Sequence, residues 1–115
     1  MWLLDANMDV HVLDVLSEFG IACHSAIHRG WGNLSNGQLV SAAMEGGFTC
    51  ILTNDRFFAE SARDALQLAL QLSIVVVHLP QTPWREYLQQ FRAAWARQPI
   101  VPDPGSVIHW PPGQR

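Results

Sequence analysis

Residues 48–58, FTCILTNDRFF, decide the fold class because an apolar run passes directly into polar side chains. The first part of this stretch is rich in aromatic, β-branched and aliphatic residues, which is typical of a buried strand. Thr53, Asn54 and Asp55 follow where that strand is expected to end. In open parallel sheets, ligands bind beyond the carboxyl ends of the strands, so Asp55 is the first candidate site residue.

The amino terminus repeats this pattern of an apolar run that ends on a carboxylate. The run Trp2–Leu4 is followed by Asp5, and Asn7 comes two residues later. Because the carboxyl ends of parallel strands meet at one edge of a sheet, Asp5 and Asp55 are expected to share a site.

Segments of helical period separate the apolar runs along the rest of the chain. The predicted helices cover Asp9–Phe19, the stretch from a capping box at Ser35 and Gln38 to Gly46, Arg56 to about Leu72, and Trp84–Arg97 with Thr82 as N-cap. The remaining predicted strands are Ile21–Ser25, Ile74–Leu79 and Val107–Trp110. This alternation predicts an α/β fold with a central, mainly parallel sheet and helices on both faces. The strand residues expected to be buried are Leu3, Leu4, Ile51, Leu52 and Val75–Val77.

The length of 115 residues corresponds to one domain. We predict a single domain over residues 1–115, with a core over residues 1–98 and a Pro-rich segment with a short strand over residues 99–115. The hydrophobic fraction of 49% and the charged fraction of 15% exclude a disordered chain. No apolar run reaches the roughly 18 residues that span a bilayer, and the start lacks a signal-peptide pattern. We therefore expect a cytoplasmic protein that does not enter a membrane.

The charged residues limit the chemistry that the chain can perform. The formal net charge is -3, and all 7 basic residues are arginines. Without lysine, a Walker A phosphate loop and Schiff-base chemistry are excluded. No basic stripe is visible along the sequence, so a nucleic acid would have to be held by a few arginines and a metal ion.

Cysteines, histidines and glycines provide weaker indications of a metal site or a nucleotide site. Cys23 and Cys50 lie in apolar runs and are expected to be buried thiols, although His24 and His28 could join Cys23 in a metal site. His24 could also face the crevice or belong to the core. Residues 30–35 give the pattern G-x-G-x-x-S, which lacks one glycine of a dinucleotide fingerprint.

Taken in order, these motifs resemble the PIN-like domains, specifically a small bacterial branch of unknown function related to VapC-type toxin ribonucleases. The resemblance runs from Leu3 to about Leu79. It is carried by three motifs, which are LLDAN at Leu3–Asn7, the glycine loop with Ser35, and LTNDRFF at Leu52–Phe58.

The resemblance implies a PIN-like three-layer domain and an Mg²⁺- or Mn²⁺-dependent ribonuclease whose carboxylates hold the metal. By position, Asp5 and Asp55 would be catalytic and metal-binding, and Asn36 would be a further metal ligand. The residues that would contact substrate are Asn7, Thr53, Asn54, Arg56 and Arg29. The implied partners are single-stranded or structured RNA and, if the chain is the toxin of a toxin–antitoxin pair, an antitoxin protein.

Three departures from the family pattern weaken the implied metal site. Asn36 stands where the family usually has an acidic residue, Gln38 replaces a frequent glutamate, and Phe57 stands at a common aspartate position. Each lost carboxylate removes about 1 kcal/mol or more of attraction to a divalent ion, so we expect weak metal binding. Three alternatives therefore stay open: a catalytically inactive binding or regulatory protein, a nucleotide-binding module, and Asp5 and Asp55 as simple helix caps.

The tryptophans suggest self-association. Trp84 and Trp95 are spaced for one helix face, whereas Trp31 and Trp110 lie in a loop and a tail where no core is obvious. Exposed tryptophan is frequent at interfaces, so we predict a homodimer.

Overall fold

The computed structural model describes residues 1–113 and has five parallel strands in one sheet. Residues 114 and 115 of the predicted domain lie outside the described residues. The strands are β1 (Trp2–Leu4), β2 (Cys23–Ser25), β3 (Cys50–Thr53), β4 (Ser73–Val77) and β5 (Val107–Trp110). Their order across the sheet is β2-β1-β3-β4-β5, so the predicted parallel α/β fold is confirmed.

Five helices cover the two faces of this sheet. They are α1 (Val12–Glu18), α2 (Asn36–Glu45), α3 (Phe58–Ser61), α4 (Arg63–Gln67) and α5 (Trp84–Arg97). Helices α1 and α5 pack on one face, and α2, α3 and α4 pack on the other. None of the described helices is long and apolar enough to cross a membrane.

The central strands β1, β3 and β4 are mainly apolar because both faces of the sheet are covered there, whereas the edge strands β2 and β5 contain His24 and His109. Leu4 and Leu52 point to the α1 and α5 layer, whereas Leu3 and Ile51 point to the opposite layer. All strand residues predicted to be buried are 2% exposed or less. Two separate cores therefore hold the sheet between its helices, and together the three layers fix the carboxyl ends of the strands.

The single helix predicted from Arg56 to about Leu72 is wrong. The backbone leaves helical geometry at Ala62 (φ -106, ψ 17), which separates α3 from α4, and α4 ends at Gln67. The helical period of the predicted helix would place Leu70 on its apolar face, but Leu70 is 73% exposed. Phe58 and Ala62 are buried under α2, so tertiary packing sets the path of this segment against its helical period.

Helix α1 begins later than predicted, whereas α5 covers Trp84–Arg97 as predicted and only its predicted cap is wrong. Asp9 accepts a hydrogen bond from the backbone N–H of His11 at 2.9 Å, so the residues before Val12 form a turn and not a helical start. The predicted N-cap residue, Thr82, does not cap α5, because Pro83 occupies the N-cap position of this helix. Within the described residues, the buried hydroxyl of Thr82 has no hydrogen-bond partner.

The prediction that Trp110 lies in a tail without a core is also wrong. β5 pairs with β4, and Trp110 is 2% exposed against Phe91 at 5.0 Å between ring centroids. Its indole N–H donates to the backbone oxygen of Gln98 at 2.8 Å. Trp84 is 38% exposed instead of facing the core, and its ring stacks on His11 at 3.9 Å.

Candidate functional site

The two candidate carboxylates lie at the carboxyl ends of neighbouring strands. β1 and β3 pair directly, with Leu4 opposite Leu52, and Asp5 and Asp55 follow these strand ends. The backbone N–H of Asp5 also donates to the oxygen of Leu52 at 2.9 Å, which extends the pairing by one step. The strand order thus places both carboxylates at one edge of the sheet, as the sequence predicted.

The hydroxyl of Thr53 joins the two carboxylate segments. It donates to Asp5 Oδ2 at 2.7 Å and accepts from the backbone N–H of Asp55 at 3.1 Å and from Asn7 Nδ2 at 3.2 Å. One donor and two acceptor positions are all that a hydroxyl has, so this group is fully used. Thr53 is completely buried and serves to position the site, without a free group for substrate.

A second set of hydrogen bonds fixes the loops that follow β1 and β3. The side-chain oxygen of Asn7 accepts from the backbone N–H of Asn54 at 3.1 Å, and the Asn54 amide donates to the backbone oxygen of Asn7 at 3.1 Å. Tyr87 of α5 donates its hydroxyl to Asn54 Oδ1 at 3.0 Å. Burial raises the pKa of this hydroxyl, which keeps it a donor.

Asn36 reaches Asp55 from the first turn of α2. The capping box of Ser35 and Gln38 starts this helix as predicted, and Asn36 is its first residue. The Asn36 amide nitrogen donates to Asp55 Oδ2 at 3.2 Å and to Ser61 Oγ at 2.9 Å. In this orientation Asn36 offers Asp55 a donor, so the predicted metal-ligand role requires a half-turn of the amide.

Asp5 is a buried carboxylate that repels its neighbour. Its side chain is enclosed, with the residue 8% exposed, and burial raises its pKa above the ordinary value of 3.8. The hydrogen bonds from Thr53 and from the backbone N–H of Ala6 lower the pKa, and the charge of Asp55 raises it further. Among the described residues, the ion pairs are His11 with Asp9 and Arg92 with Glu18, so no cation neutralises either site carboxylate.

The donor set fits a hard divalent cation. Each oxygen of Asp5 and Asp55 accepts one hydrogen bond, from Ala6, Thr53, Phe57 or Asn36, which leaves one lone pair per oxygen. Carboxylate and amide oxygens with water are the ligands that Mg²⁺ prefers. Over residues 1–113, no group of three or more His, Cys, Asp or Glu side chains could hold a metal ion. An ion here would therefore depend on two carboxylates, amide oxygens and water.

The two arginines predicted to contact substrate lie apart from this network. Arg56 and Asn54 line an open cavity of about 330 Å³, together with the segment at the end of β4 and after it. Arg29 follows β2 and contacts His24, Trp31 and Phe48. The structure thus joins Asp5 and Asp55 to the four polar residues Asn7, Asn36, Thr53 and Asn54, and leaves both arginines at the periphery.

The other sequence motifs contribute less to this site. Cys23 and Cys50 are free thiols; Cys50 is buried as predicted, whereas Cys23 is only partly buried, and this burial raises the pKa of Cys23 to about 12. A thiol with so high a pKa is a poor nucleophile and metal ligand. The glycine loop does not open a helix, because α2 begins after Ser35 and not at the glycines.

Sequence reasoning missed Tyr87 and Ser61 as members of the site. Tyr87 lies on the buried face of α5, and a buried tyrosine hydroxyl usually has a hydrogen-bond partner, which was the available signal. Ser61 gives no such signal, because its contact with Asn36 exists only after α3 has packed beside α2.

The fold and the site together define a parallel α/β domain with a paired-carboxylate site at the edge of its sheet. Comparisons with protein-family models, curated proteins and solved structures found no match for this chain.

Proposed function

We propose that this chain is a PIN-like nuclease domain that binds Mg²⁺ or Mn²⁺ weakly between Asp5 and Asp55 and hydrolyses RNA. The observation that supports this proposal best is the convergence of two carboxylates that have no cationic partner among the described residues. A buried carboxylate beside a like charge is unfavourable, and a divalent cation relieves both the burial and the repulsion. In this proposal, the uncompensated negative charge of the two carboxylates is the feature that attracts the cation.

The residues around the carboxylates keep them in place for that task. Thr53 fixes Asp5 from inside the sheet, and Asn36 and the backbone N–H of Phe57 hold the two oxygens of Asp55. Pre-oriented ligands lose little conformational freedom when an ion binds. A bound ion would activate water as the nucleophile and offset the charge that develops on the phosphate. In this proposal the carboxylate oxygens of Asp5 and Asp55 are the atoms that hold it.

The proposed nuclease function implies particular partners and a cellular location. Arg56 lies beside Asn54 at the rim of the site and offers one cation to an RNA backbone. We further propose the cytoplasm as the location, a homodimer as the assembly and, for a toxin, a cognate antitoxin protein as the inhibitor.

A catalytically inactive binding protein is the second candidate, and Asn36 favours it. Where a carboxylate would add a third negative charge, the Asn36 amide donates a hydrogen bond to Asp55 and satisfies one of its oxygens without metal. Such a site keeps its shape in the absence of an ion. The inactive protein would keep the fold and bind a partner without hydrolysing it.

Thermal unfolding with and without Mn²⁺ separates these candidates. Binding to the native state alone stabilises it by about 2.7 kcal/mol when the ion is at 100 times its Kd, which raises Tm by several degrees. Asp5→Asn and Asp55→Asn should abolish this shift. Asp64→Asn is the matched control, since Asp64 is an exposed carboxylate of α4 that takes no part in the hydrogen bonds given above for Asp5 and Asp55, and it should retain the shift.

Cleavage of a fluorogenic single-stranded RNA then tests catalysis. Asp55→Asn should remove activity that the wild type shows with Mn²⁺. A double variant, Asn36→Asp with Phe57→Asp, restores the acidic pattern and should raise both metal affinity and cleavage; Phe57 is 60% exposed, so its replacement should not disturb the core. If neither the wild type nor the double variant responds to Mn²⁺, the carboxylates are structural and the nuclease proposal fails.

A further inference from the structure

A second cavity lies at the outer edge of the sheet, beside β2. Its volume is about 350 Å³, and it is lined by Leu13, Cys23, His24, Ser25, His28 and Arg29. Its polar lining contains an arginine and two histidines but no carboxylate. Because β2 is an edge strand, backbone N–H groups on its outer side also have no strand partner. The cavity is thus rich in hydrogen-bond donors.

Arg29 is held in this cavity by aromatic rings. Its guanidinium carbon lies 4.4 Å from the ring centroid of Trp31 and 5.1 Å from that of Phe48. These rings meet edge to face at 6.0 Å, so they form a rigid support. Stacking on these rings favours one position of the guanidinium, which lowers the entropic cost of binding a ligand.

The contact between Arg29 and His24 defines which ring nitrogen of His24 can donate a hydrogen bond to a ligand. Arg29 Nη1 lies 3.1 Å from His24 Nδ1, and a guanidinium is always a donor, so Nδ1 must be the acceptor. In the neutral ring the proton is then on Nε2, which becomes a donor. His28 is exposed beside this pair, and its backbone N–H contacts Ser25 Oγ at 3.4 Å.

The charge of Arg29 is not neutralised by a carboxylate. Within residues 1–113, the two ion pairs use His11, Asp9, Arg92 and Glu18, and neither contains Arg29. In a chain of net charge -3, a pinned arginine that faces two imidazoles and no acid is suited to an anion. A planar guanidinium binds phosphate through two parallel hydrogen bonds, and this fork geometry favours phosphate over a spherical anion.

We propose that Arg29, His24 and His28 bind a phosphate group and, resting on the proposed function, that this phosphate belongs to the backbone of single-stranded RNA. The cavity is adjacent to the carboxylate site, since Ser25 of β2 is in register with Leu4 of β1, the residue before Asp5. Neighbouring strands are about 4.8 Å apart. In this proposal, an RNA strand that reaches Asp5 from the β2 side passes over this cavity.

Fluorescence anisotropy with labelled single-stranded RNA tests the proposal in the full chain, with EDTA present so that no cleavage occurs. Arg29→Ala should weaken binding by about tenfold and lower the slope of log K against log salt by about 0.7, the value for one lost phosphate contact. Arg29→Lys keeps the charge but not the fork, so its affinity should fall in between. Arg92→Ala, whose guanidinium is already paired with Glu18, is the matched control and should bind like wild type.

Inorganic phosphate, followed by calorimetry on the same variants, distinguishes the source of the ligand. Arg29-dependent binding of RNA supports the proposal, whereas Arg29-dependent binding of inorganic phosphate without RNA binding supports the pocket but refutes RNA as its source. Equal affinities of Arg29→Ala and Arg92→Ala for both ligands overturn the pocket. Because EDTA removes metal from the assay, RNA cleavage can fail and phosphate binding still succeed, so the two proposals are refuted by different results.

Discussion

Replacing Thr53 with valine is the most direct test of how the carboxylate site is built. Valine has nearly the same shape as threonine, so the change removes the hydroxyl and leaves the packing of β3 intact. Asp5 loses a hydrogen bond of 2.7 Å, and the backbone N–H of Asp55 and the amide of Asn7 lose their acceptor. The site is completely buried at Thr53, so water cannot enter there without disturbing the sheet.

The expected cost follows from these three partners. A hydrogen bond to a charged group contributes about 1.5–3 kcal/mol, and a buried donor left without a partner costs about 1–3 kcal/mol. Because the three effects share one atom and do not add fully, we expect a loss of about 3 kcal/mol in the free energy of unfolding. This is a large part of the roughly 5–15 kcal/mol that stabilises a typical domain.

Urea unfolding at neutral pH measures this loss as a lower midpoint at unchanged slope. Thr49→Val is the matched control, since Thr49 is an exposed residue just before β3 whose hydroxyl makes only a 3.5 Å contact with the Met1 oxygen. Thr53→Ser keeps the hydroxyl and should recover most of the stability. The cost of Thr53→Val should also shrink in acid, because the hydroxyl helps the charged form of Asp5 most.

A Thr53→Val protein as stable as Thr49→Val would contradict this account. The hydroxyl would then not hold Asp5, and the proposed pre-orientation of the carboxylates would lose its structural basis. A change in the slope of the urea curve instead of its midpoint would indicate a different effect. The valine would then have altered the compactness of the folded or the unfolded state and not one set of hydrogen bonds.

Three further predictions concern pH, the core and capping. Because the pKa of Asp5 is raised above 3.8, the folded state holds this proton more tightly, so in EDTA the free energy of unfolding should fall as pH rises from 3.8 through the folded pKa. Urea titrations across that range should show a smaller fall in Asp55→Asn, and an equal fall would rule out the repulsion. Trp110→Ala should cost about 3–5 kcal/mol in thermal unfolding, far more than Trp84→Ala at a partly exposed position. Ser35→Ala should cost about 1 kcal/mol through loss of the N-cap, and no change in Tm would exclude the capping box.

Local sequence patterns were sufficient to predict the strands and the position of the carboxylates. Continuous apolar runs identified buried strands, and the polar residues after them identified the edge of the sheet where Asp5 and Asp55 lie. The capping box at Ser35 was also predicted correctly, because its two hydrogen bonds join residues only three positions apart.

Contacts between distant segments were beyond such patterns. The break at Ala62 and the exposure of Leu70 result from packing under α2, which the helical period of the segment does not reveal. Trp110 is buried because β5 joins the sheet beside β4 and α5 covers it, although its proline-rich flanks suggested an exposed tail. In both cases the neighbours that decide burial come from another part of the chain.

The sequence by itself determined that Asp5 and Asp55 follow the ends of two apolar strands, because strand period and residue order are local properties of the chain. That β1 and β3 are neighbours, which brings both carboxylates to one edge of the sheet, is a property of the tertiary structure. Only the tertiary structure decided what surrounds them. Thr53 is 48 positions from Asp5, and Asn36 is 19 positions from Asp55, so their hydrogen bonds exist only after the strands and helices have packed. The position of Arg29 also depends on the tertiary structure. Its guanidinium stacks on Phe48, which comes from another part of the chain, and Arg29 lines the cavity beside β2.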